Sequence, residues 1–258
     1  MQKNRCTVVV VALVVVGAGV GPGAATAQAG LNTAQFFPTR TLFAQQMAQQ
    51  GKTLKGIEDF EYAQMSGGKL PFADPLDSST PSVPFPNGLL SPNLRIQTNR
   101  NPGPLAAQDV PSGNSQALFV VGPGSFGSNS FKVGEDLGIL AQIHCSMDLI
   151  FTSNDKTGIS FDLSRFQGYG DDGWIIGVFD TNNILIGSTT IGGPVPFNPN
   201  KNFVGIWSPV PIGRVNIYDP NLTSPDAVDD IEMWTIPAPG TAGVLAVAGL
   251  VAAKRRRR

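Results

Sequence analysis

Short apolar stretches recur along the second half of the chain, and turn-forming residues separate them. Ile159, Phe161 and Leu163 alternate with polar residues, as expected for a strand with one apolar and one polar face. Residues 180–183 read Asp-Thr-Asn-Asn, a composition typical of a tight turn between two strands. The whole pattern predicts strands over residues 117–121, 130–133, 147–152, 158–163, 173–180, 184–190, 202–207, 214–218 and 229–236.

The spacing of these strands predicts the fold class. Short strands at close intervals, with no amphipathic helix between them, are typical of antiparallel sandwiches rather than of parallel α/β sheets. We therefore expect residues 30–235 to form a single mainly β domain, a jelly-roll-like antiparallel β-sandwich with one short N-terminal helix. Cleavable apolar helices are expected outside this domain, at both ends of the chain.

The expected N-terminal helix covers residues 36–50. Its apolar positions have helical spacing, either Thr39 or Thr41 can serve as N-cap, and Gly51 ends the pattern. A first strand is expected directly afterwards, over residues 57–62. The predicted apolar face of the helix consists of Leu42, Phe43 and Met47.

A long segment rich in Pro, Ser, Gly and Asn follows over residues 63–115. Proline removes a backbone donor, so this composition disfavours regular strands and helices. One or two short edge strands are expected near Leu89, Leu90, Leu94 and Ile96. We interpret the segment mainly as a surface excursion of the domain, because one helix and one strand cannot form a core without the rest of the chain.

The first 29 residues have the composition of a secretory signal peptide. Lys3 and Arg5 precede a run of small and apolar residues over 7–20, and small residues follow at the positions that signal peptidase reads. Cleavage is expected after Ala27 or Ala29. The apolar run is shorter than the roughly 20 residues that span a bilayer, which disfavours a retained anchor.

The last 23 residues, 236–258, form a second recognisable segment. Two prolines close to each other end the last predicted strand, and residues 241–253 contain only Thr, Ala, Gly, Val and Leu, which predicts an apolar helix. A basic cluster, 254–258, then holds that end on the cytoplasmic side of a membrane. The residues that define the segment are Pro237, Ala238, Pro239, Gly240, Arg255, Arg256, Arg257 and Arg258.

This segment resembles the PEP-CTERM sorting signal that exosortases recognise. The usual Val-Pro-Glu-Pro motif of that family is replaced here by Ile236-Pro237-Ala238-Pro239. The resemblance implies transient membrane insertion through the helix, cutting by an exosortase near residues 237–240, and release to, or attachment at, the cell surface. A plain C-terminal membrane anchor is the alternative reading of the same residues.

Removing both ends changes the charge of the protein. Seven of the 18 Lys and Arg lie in the two end segments, so eleven remain against all 19 Asp and Glu, a net charge of −8 for the body. A surface of this sign repels nucleic acid.

Cys145 is the single cysteine of that body, so an internal disulfide is excluded. A lone cysteine of this kind usually behaves as a small buried apolar residue.

The residue types needed for catalysis are sparse. His144 is the single histidine, and it cannot form a dyad with the adjacent Cys145 on a strand because neighbouring side chains point to opposite faces. No phosphate-binding or nucleophile-elbow motif is present in the sequence. We expect a protein that is not an enzyme and that carries no organic cofactor.

Carboxylates offer one candidate metal site. Asp59 and Glu61 are expected to share a strand face, as are Asp230 and Glu232, and the four would converge if the first and last strands lay side by side. Carboxylate oxygens are ligands that Ca²⁺ prefers. The alternative is a solvated acidic face.

Two aromatic residues offer a candidate sugar contact. Tyr169 and Trp174 flank an acidic, glycine-containing stretch and, if exposed, would form platforms for a sugar ring.

Three functions are consistent with these features of the sequence. The favoured one is a non-catalytic cell-surface or extracellular-matrix protein processed by signal peptidase and exosortase. The alternatives are a module that binds extracellular polysaccharide, and a secreted glycoside or ester hydrolase.

Overall fold

The computed structural model describes residues 33–64, 69–72, 74–99, 118–121, 138–141, 146–165, 173–191, 202–218 and 226–235. All of them belong to one compact unit. The predicted end segments, 1–29 and 236–258, lie outside the described residues, as do His144, Cys145 and the strand predicted over 130–133.

Within this part of the chain there are one helix and fourteen strands. The helix α1 spans Arg40–Gln49. The strands are β1 Gln35–Phe37, β2 Thr53–Glu58, β3 Lys69–Phe72, β4 Leu76–Asp77, β5 Leu94–Asn99, β6 Leu118–Val121, β7 Gly138–Ala141, β8 Ser146–Phe151, β9 Lys156–Arg165, β10 Trp174–Asp180, β11 Leu185–Ile191, β12 Asn202–Trp207, β13 Ile212–Tyr218 and β14 Asp226–Thr235.

The strands form two antiparallel sheets. Sheet A has the order β1-β12-β9-β14-β7-β6-β3, and β2 also pairs with β14. Sheet B has the order β11-β10-β13-β8-β5-β4. Strand β14 pairs with β9 along one edge and with β7 and then β2 along the other, so the last described strand lies in the interior of sheet A.

The path from β7 to β14 is that of a jelly roll. Successive strands alternate between the two sheets, except for the hairpin β10–β11. The resulting orders are β7-β14-β9-β12 in sheet A and β8-β13-β10-β11 in sheet B, which is the double Greek key of eight-stranded jelly rolls. The predicted fold class, a mainly β jelly-roll-like sandwich with one short helix, is confirmed.

The core lies between the sheets and follows the predicted alternation. Ile159, Phe161 and Leu163 of β9 have no solvent exposure and pack into the same cluster as Ile176 and Val178 of β10. The alternate residues of β9 point to the other face of sheet A. That face is covered in part by α1, which packs on β12.

Helix α1 begins four residues later than predicted. Residues 35–37 form β1, which pairs with β12, because the residue before Pro38 is restricted to extended conformations. Thr39 caps the helix by accepting a hydrogen bond from the backbone N–H of Leu42 at 3.3 Å. Gly51 follows the helix with φ of +61°, a conformation that glycine adopts at little cost.

Two glycines in the strands leave room for the helix. A Cβ on Gly205 would lie 2.7 Å from the Phe43 ring, and one on Gly158 would lie 2.3 Å from the Met47 sulfur. Phe43 also contacts the rings of Phe203 and Trp234, each at a centroid distance of 6.0 Å. The predicted face of α1 is therefore correct for Phe43 and Met47, whereas Leu42 is exposed.

Two predictions about the first third of the chain need correction. The strand predicted over 57–62 lies over 53–58 instead, and the chain leaves it through Phe60, which has φ of +58°. The predicted excursion contains β3, β4 and β5, and β5 is an interior strand of sheet B rather than an edge strand. Pro71 does lie in an edge strand, β3, where a missing N–H is tolerated.

Candidate functional site

One of the two residues predicted to contact a sugar, Trp174, is buried. Trp174 is 3 % exposed and belongs to the core between the sheets. A buried ring cannot stack on a sugar, so this part of the prediction is wrong. Tyr169 lies outside the described residues.

The four carboxylates predicted to bind Ca²⁺ do not assemble into a site. Strand β2 does pair with β14, and Glu58 faces Ile231, but β2 ends before Asp59, and Glu61 is exposed beyond it. Asp230 is a bulge residue with φ of +51°. Within the described residues, no three Asp, Glu, His or Cys side chains lie close enough to hold a metal ion.

Glu232 instead connects β14 to the start of the helix. Arg40 donates a hydrogen bond to one oxygen of Glu232, and Ser160 and Trp234 donate to the other at 2.9 and 3.2 Å. Arg40 also lies 3.4 Å from Asp162. The outer face of sheet A is therefore polar where α1 begins, and these polar groups attach α1 to the sheet.

Glu58 is a second buried carboxylate. Its two oxygens accept hydrogen bonds from the Tyr62 hydroxyl at 2.7 Å and from the backbone N–H of Ser91 at 2.9 Å. Burial raises the pKa of the Glu58 carboxyl, because a charged form is disfavoured away from water. Burial and the hydrogen bond to Glu58 also raise the pKa of Tyr62. These bonds tie the loop after β4 to the end of β2.

A larger polar network lies on sheet B, on the face opposite the core. Asp148 has no solvent exposure and accepts hydrogen bonds from Arg214 at 2.9 Å and from Asn99 and Asn216 at 2.8 Å. The Arg214 guanidinium lies 3.8 Å from the centroid of the Phe179 ring. Burial raises the pKa of Asp148, and the adjacent Arg214 acts in the opposite direction.

The same network reaches the hairpin turn between β10 and β11. Asn183 accepts hydrogen bonds from two nitrogens of Arg214, at 3.0 and 2.8 Å. Asp180 accepts from the backbone N–H groups of Asn182 and Ile184, both at 2.8 Å, which confirms the predicted turn. Arg214 is therefore held on three sides by a carboxylate, an amide and a ring, and it has a structural role.

An open pocket lies beside β2, and we name it the β2 pocket. Its volume is about 360 Å³, within the range of small-molecule sites. The wall nearest β2 contains Lys55 and Ile57, and the loop before β5 contributes Leu90 and Pro92. Lys156, the first residue of β9, also lines the pocket. The remaining lining residues are Gly56, Ser91, Asn93, Asp155 and Met233.

Lys156 supplies the most constrained charge in this pocket. Its side chain is 5 % exposed, and its ammonium donates to Asp155 at 2.7 Å and to Ser153 at 2.9 Å. Burial acts to raise the pKa of Asp155, but hydrogen bonds from Lys156 and Ser153 outweigh it and hold that pKa below its usual value. The Asp155 carboxylate is therefore ionised at neutral pH.

The sequence carries few signals for these groups. Asp148 and Arg214 are charged residues inside otherwise apolar strands, and this signal could have indicated that they form a pair, since buried charges are normally paired. The β2 pocket brings together segments about a hundred residues apart, and no motif links them. Within the described residues, no helix is long and apolar enough to cross a membrane.

The fold and the site define a class of protein: an antiparallel jelly-roll sandwich with a small open pocket at one edge of a sheet. No family model matches the chain. No curated protein matches it significantly. Among solved structures, it is similar to the K2 cleaved adhesin domain of Lys-gingipain, with a TM-score of 0.38 and 10 % identity, over 69 % of this chain and 98 % of that chain. A similarity this distant carries no inference about function.

Proposed function

We propose that this chain is an exported protein of the cell surface or extracellular matrix, with a non-catalytic jelly-roll body that is processed at both ends. The observation that carries the proposal is the position of the sorting motif relative to the fold. Strand β14 ends at Thr235, and the motif begins at the next residue. A cut within residues 237–240 therefore removes no part of either sheet.

The contacts of the ionisable groups support a non-catalytic body. Asp148 and Arg214 neutralise each other within one network, and Glu232 is bound by Arg40. A general acid or base needs a carboxylate that can reach a substrate, whereas these carboxylates are occupied by contacts that hold strands and helix together. The net charge of −8 on the body suits a protein that stays soluble outside the cell.

The proposal is tested by the intact mass of the protein recovered from cells with and without the exosortase. The expected product in wild-type cells lacks residues 241–258, and cells without the exosortase retain them. The double variant Pro237→Ala, Pro239→Ala is expected to retain them in wild-type cells as well.

A matched control is Pro86→Ala, because Pro86 lies exposed in the loop between β4 and β5. This variant should be cut normally. A wild-type product that still carries residues 241–258 would contradict the proposal, and so would normal cutting of the double variant.

A further inference from the structure

We propose that the β2 pocket is a binding site for a small organic monoanion, a carboxylate attached to a compact apolar group. The pocket has a cationic side and an apolar side, and both face the same open volume. This inference concerns a ligand, and it stands independently of how the chain is sorted.

The cationic side is built around Lys156. An ammonium has three N–H donors, and within the described part of the chain Asp155 and Ser153 accept two of them. The third N–H belongs to a side chain that is 95 % buried and that lines the pocket. A donor held in this way is pre-positioned for an acceptor that enters from solvent.

Lys55 lines the pocket together with Ile57, which lies two residues further along β2, and residues two apart on a strand share a face. Met233 pairs with Gly56 and Trp234 with Leu54, so Lys55 is the extra residue of a β-bulge. The second lysine of the site is therefore an exposed residue of β2 at a point where the pairing with β14 is interrupted.

The charges of the lining residues favour a monoanion. Lys55 and Lys156 contribute two positive charges and Asp155 one negative charge, which leaves one positive charge in a body whose net charge is −8. No arginine is among the described residues that line the pocket, and arginine is the residue that binds phosphate in a bidentate manner. A single carboxylate matches this charge better than a phosphate dianion does.

The other side of the pocket is apolar. Ile57 is 47 % exposed and Leu90 is 64 % exposed, and Pro92 and Met233 line the pocket with them. Exposed side chains of this kind gain free energy when an apolar ligand group covers them. The part of the lining that the structure describes contains no aromatic ring, so these residues offer a sugar no stacking platform.

A carboxylate attached to an apolar group can come from two kinds of ligand, and the experiment distinguishes them. A free organic acid is one source, and the C-terminal carboxylate of a peptide with an apolar last residue is the other. The probes are 4-methylpentanoate with its neutral amide, and N-acetyl-valyl-leucine with its C-terminal amide. Each is titrated by isothermal calorimetry into the protein purified from its producing cells.

The expected result is that at least one carboxylate probe binds, and that its amide binds about tenfold more weakly or worse, because a charge-assisted hydrogen bond is lost. The variant Lys55→Gln should weaken the binding of the carboxylate probe by about tenfold. Lys55 is exposed, so this variant keeps the fold, whereas Lys156 is buried in its ion pair. The carboxylate probe that binds more tightly shows whether the ligand is a free organic acid or a peptide C-terminus.

The matched control is Lys52→Gln. Lys52 lies at the same end of β2 but does not line the pocket, so this variant should bind the probe as the wild type does. Equal affinity for acid and amide, an equal effect of Lys55→Gln and Lys52→Gln, or no binding of either carboxylate would overturn the inference. Tighter binding of inorganic phosphate than of the carboxylate would overturn the assignment of a monoanion.

Discussion

Single charged residues do most to define the outer face of sheet B. Asp148 and Arg214 face away from the core but are still buried, so each relies on the other for compensation of its charge. Removing one partner of such a pair leaves the other charge buried and unmatched, which costs more than the pair itself contributes. The pair is therefore sensitive to single substitutions.

We expect Asp148→Asn to lower the free energy of unfolding by about 3–5 kcal/mol, because it removes the carboxylate that the buried Arg214 guanidinium contacts at 2.9 Å. Urea denaturation measures this directly. The control is Arg95→Gln, which removes a guanidinium that is 40 % exposed from its pair with Asp77. Asp77 keeps its hydrogen bonds from Ser79, so this variant should cost about 1 kcal/mol or less. Losses of similar size in the two variants would contradict this role for Asp148.

The candidate site was only partly predictable at this scale. The sequence indicated the hairpin residue Asp180 and the N-cap Thr39, because both act through hydrogen bonds to neighbouring backbone groups. Trp174 was predicted to contact a sugar but is buried in the core, and Glu232 was predicted to bind Ca²⁺ but is bound by Arg40. Both outcomes depend on contacts between segments far apart in the chain, which local patterns do not show.

At the scale of elements, helix α1 depends on two glycines that lie opposite it. Gly205 and Gly158 belong to neighbouring strands of sheet A, and each leaves the space that a helix side chain occupies. The aromatic contacts of Phe43 follow from this close approach. The helix and the glycines therefore form one packing unit.

We expect Gly205→Ala to lower the free energy of unfolding by about 1–3 kcal/mol, because the added methyl group overlaps the Phe43 ring. Thermal or urea unfolding checks this value. The matched control is Gly56→Ala, another strand glycine, where the added Cβ would meet no atom closer than 3.8 Å. If Gly205→Ala proved as stable as the control, the close packing of α1 on β12 would be refuted.

Strand positions were the most predictable elements, since alternation and turn residues are local signals. Strand β12 agrees with its predicted bounds, β8 and β11 differ by one residue at each end, and β10 begins one residue later than predicted. Strand β5 was wrongly predicted as an edge strand because its last three residues, Gln97 to Asn99, are polar and yet have no solvent exposure. Strand β7, with four residues, is too short to show an alternating pattern.

For the whole molecule, the jelly roll is completed by β14. This strand joins β9 to β2 and β7, so sheet A has no continuous path across its centre without it. The charge of the body follows from composition alone, and the two end segments stay predictions. The order of strands could not be predicted, because many antiparallel arrangements satisfy the same alternation.

We expect a chain that stops after Thr235 to unfold in the same cooperative transition as a chain that continues to Arg258, because every described strand is retained. A chain that stops after residue 225 should show no cooperative transition, because β14 is absent. Circular dichroism during heating checks both. Cooperative unfolding of the shorter chain would show that β14 is dispensable.

The interior position of β14 also sets the point at which sheet A can close while the chain is made and exported. A ribosome makes the chain from the N-terminus, at about 5–20 residues per second, so β2, β7 and β9 emerge long before their shared neighbour. Their hydrogen-bonding edges stay open to other chains throughout that interval, and open edges are where aggregation begins. In an exported chain these edges therefore stay unpaired until residues 226–235 have also crossed the membrane, and a chain that ends upstream of them cannot close its own sheet.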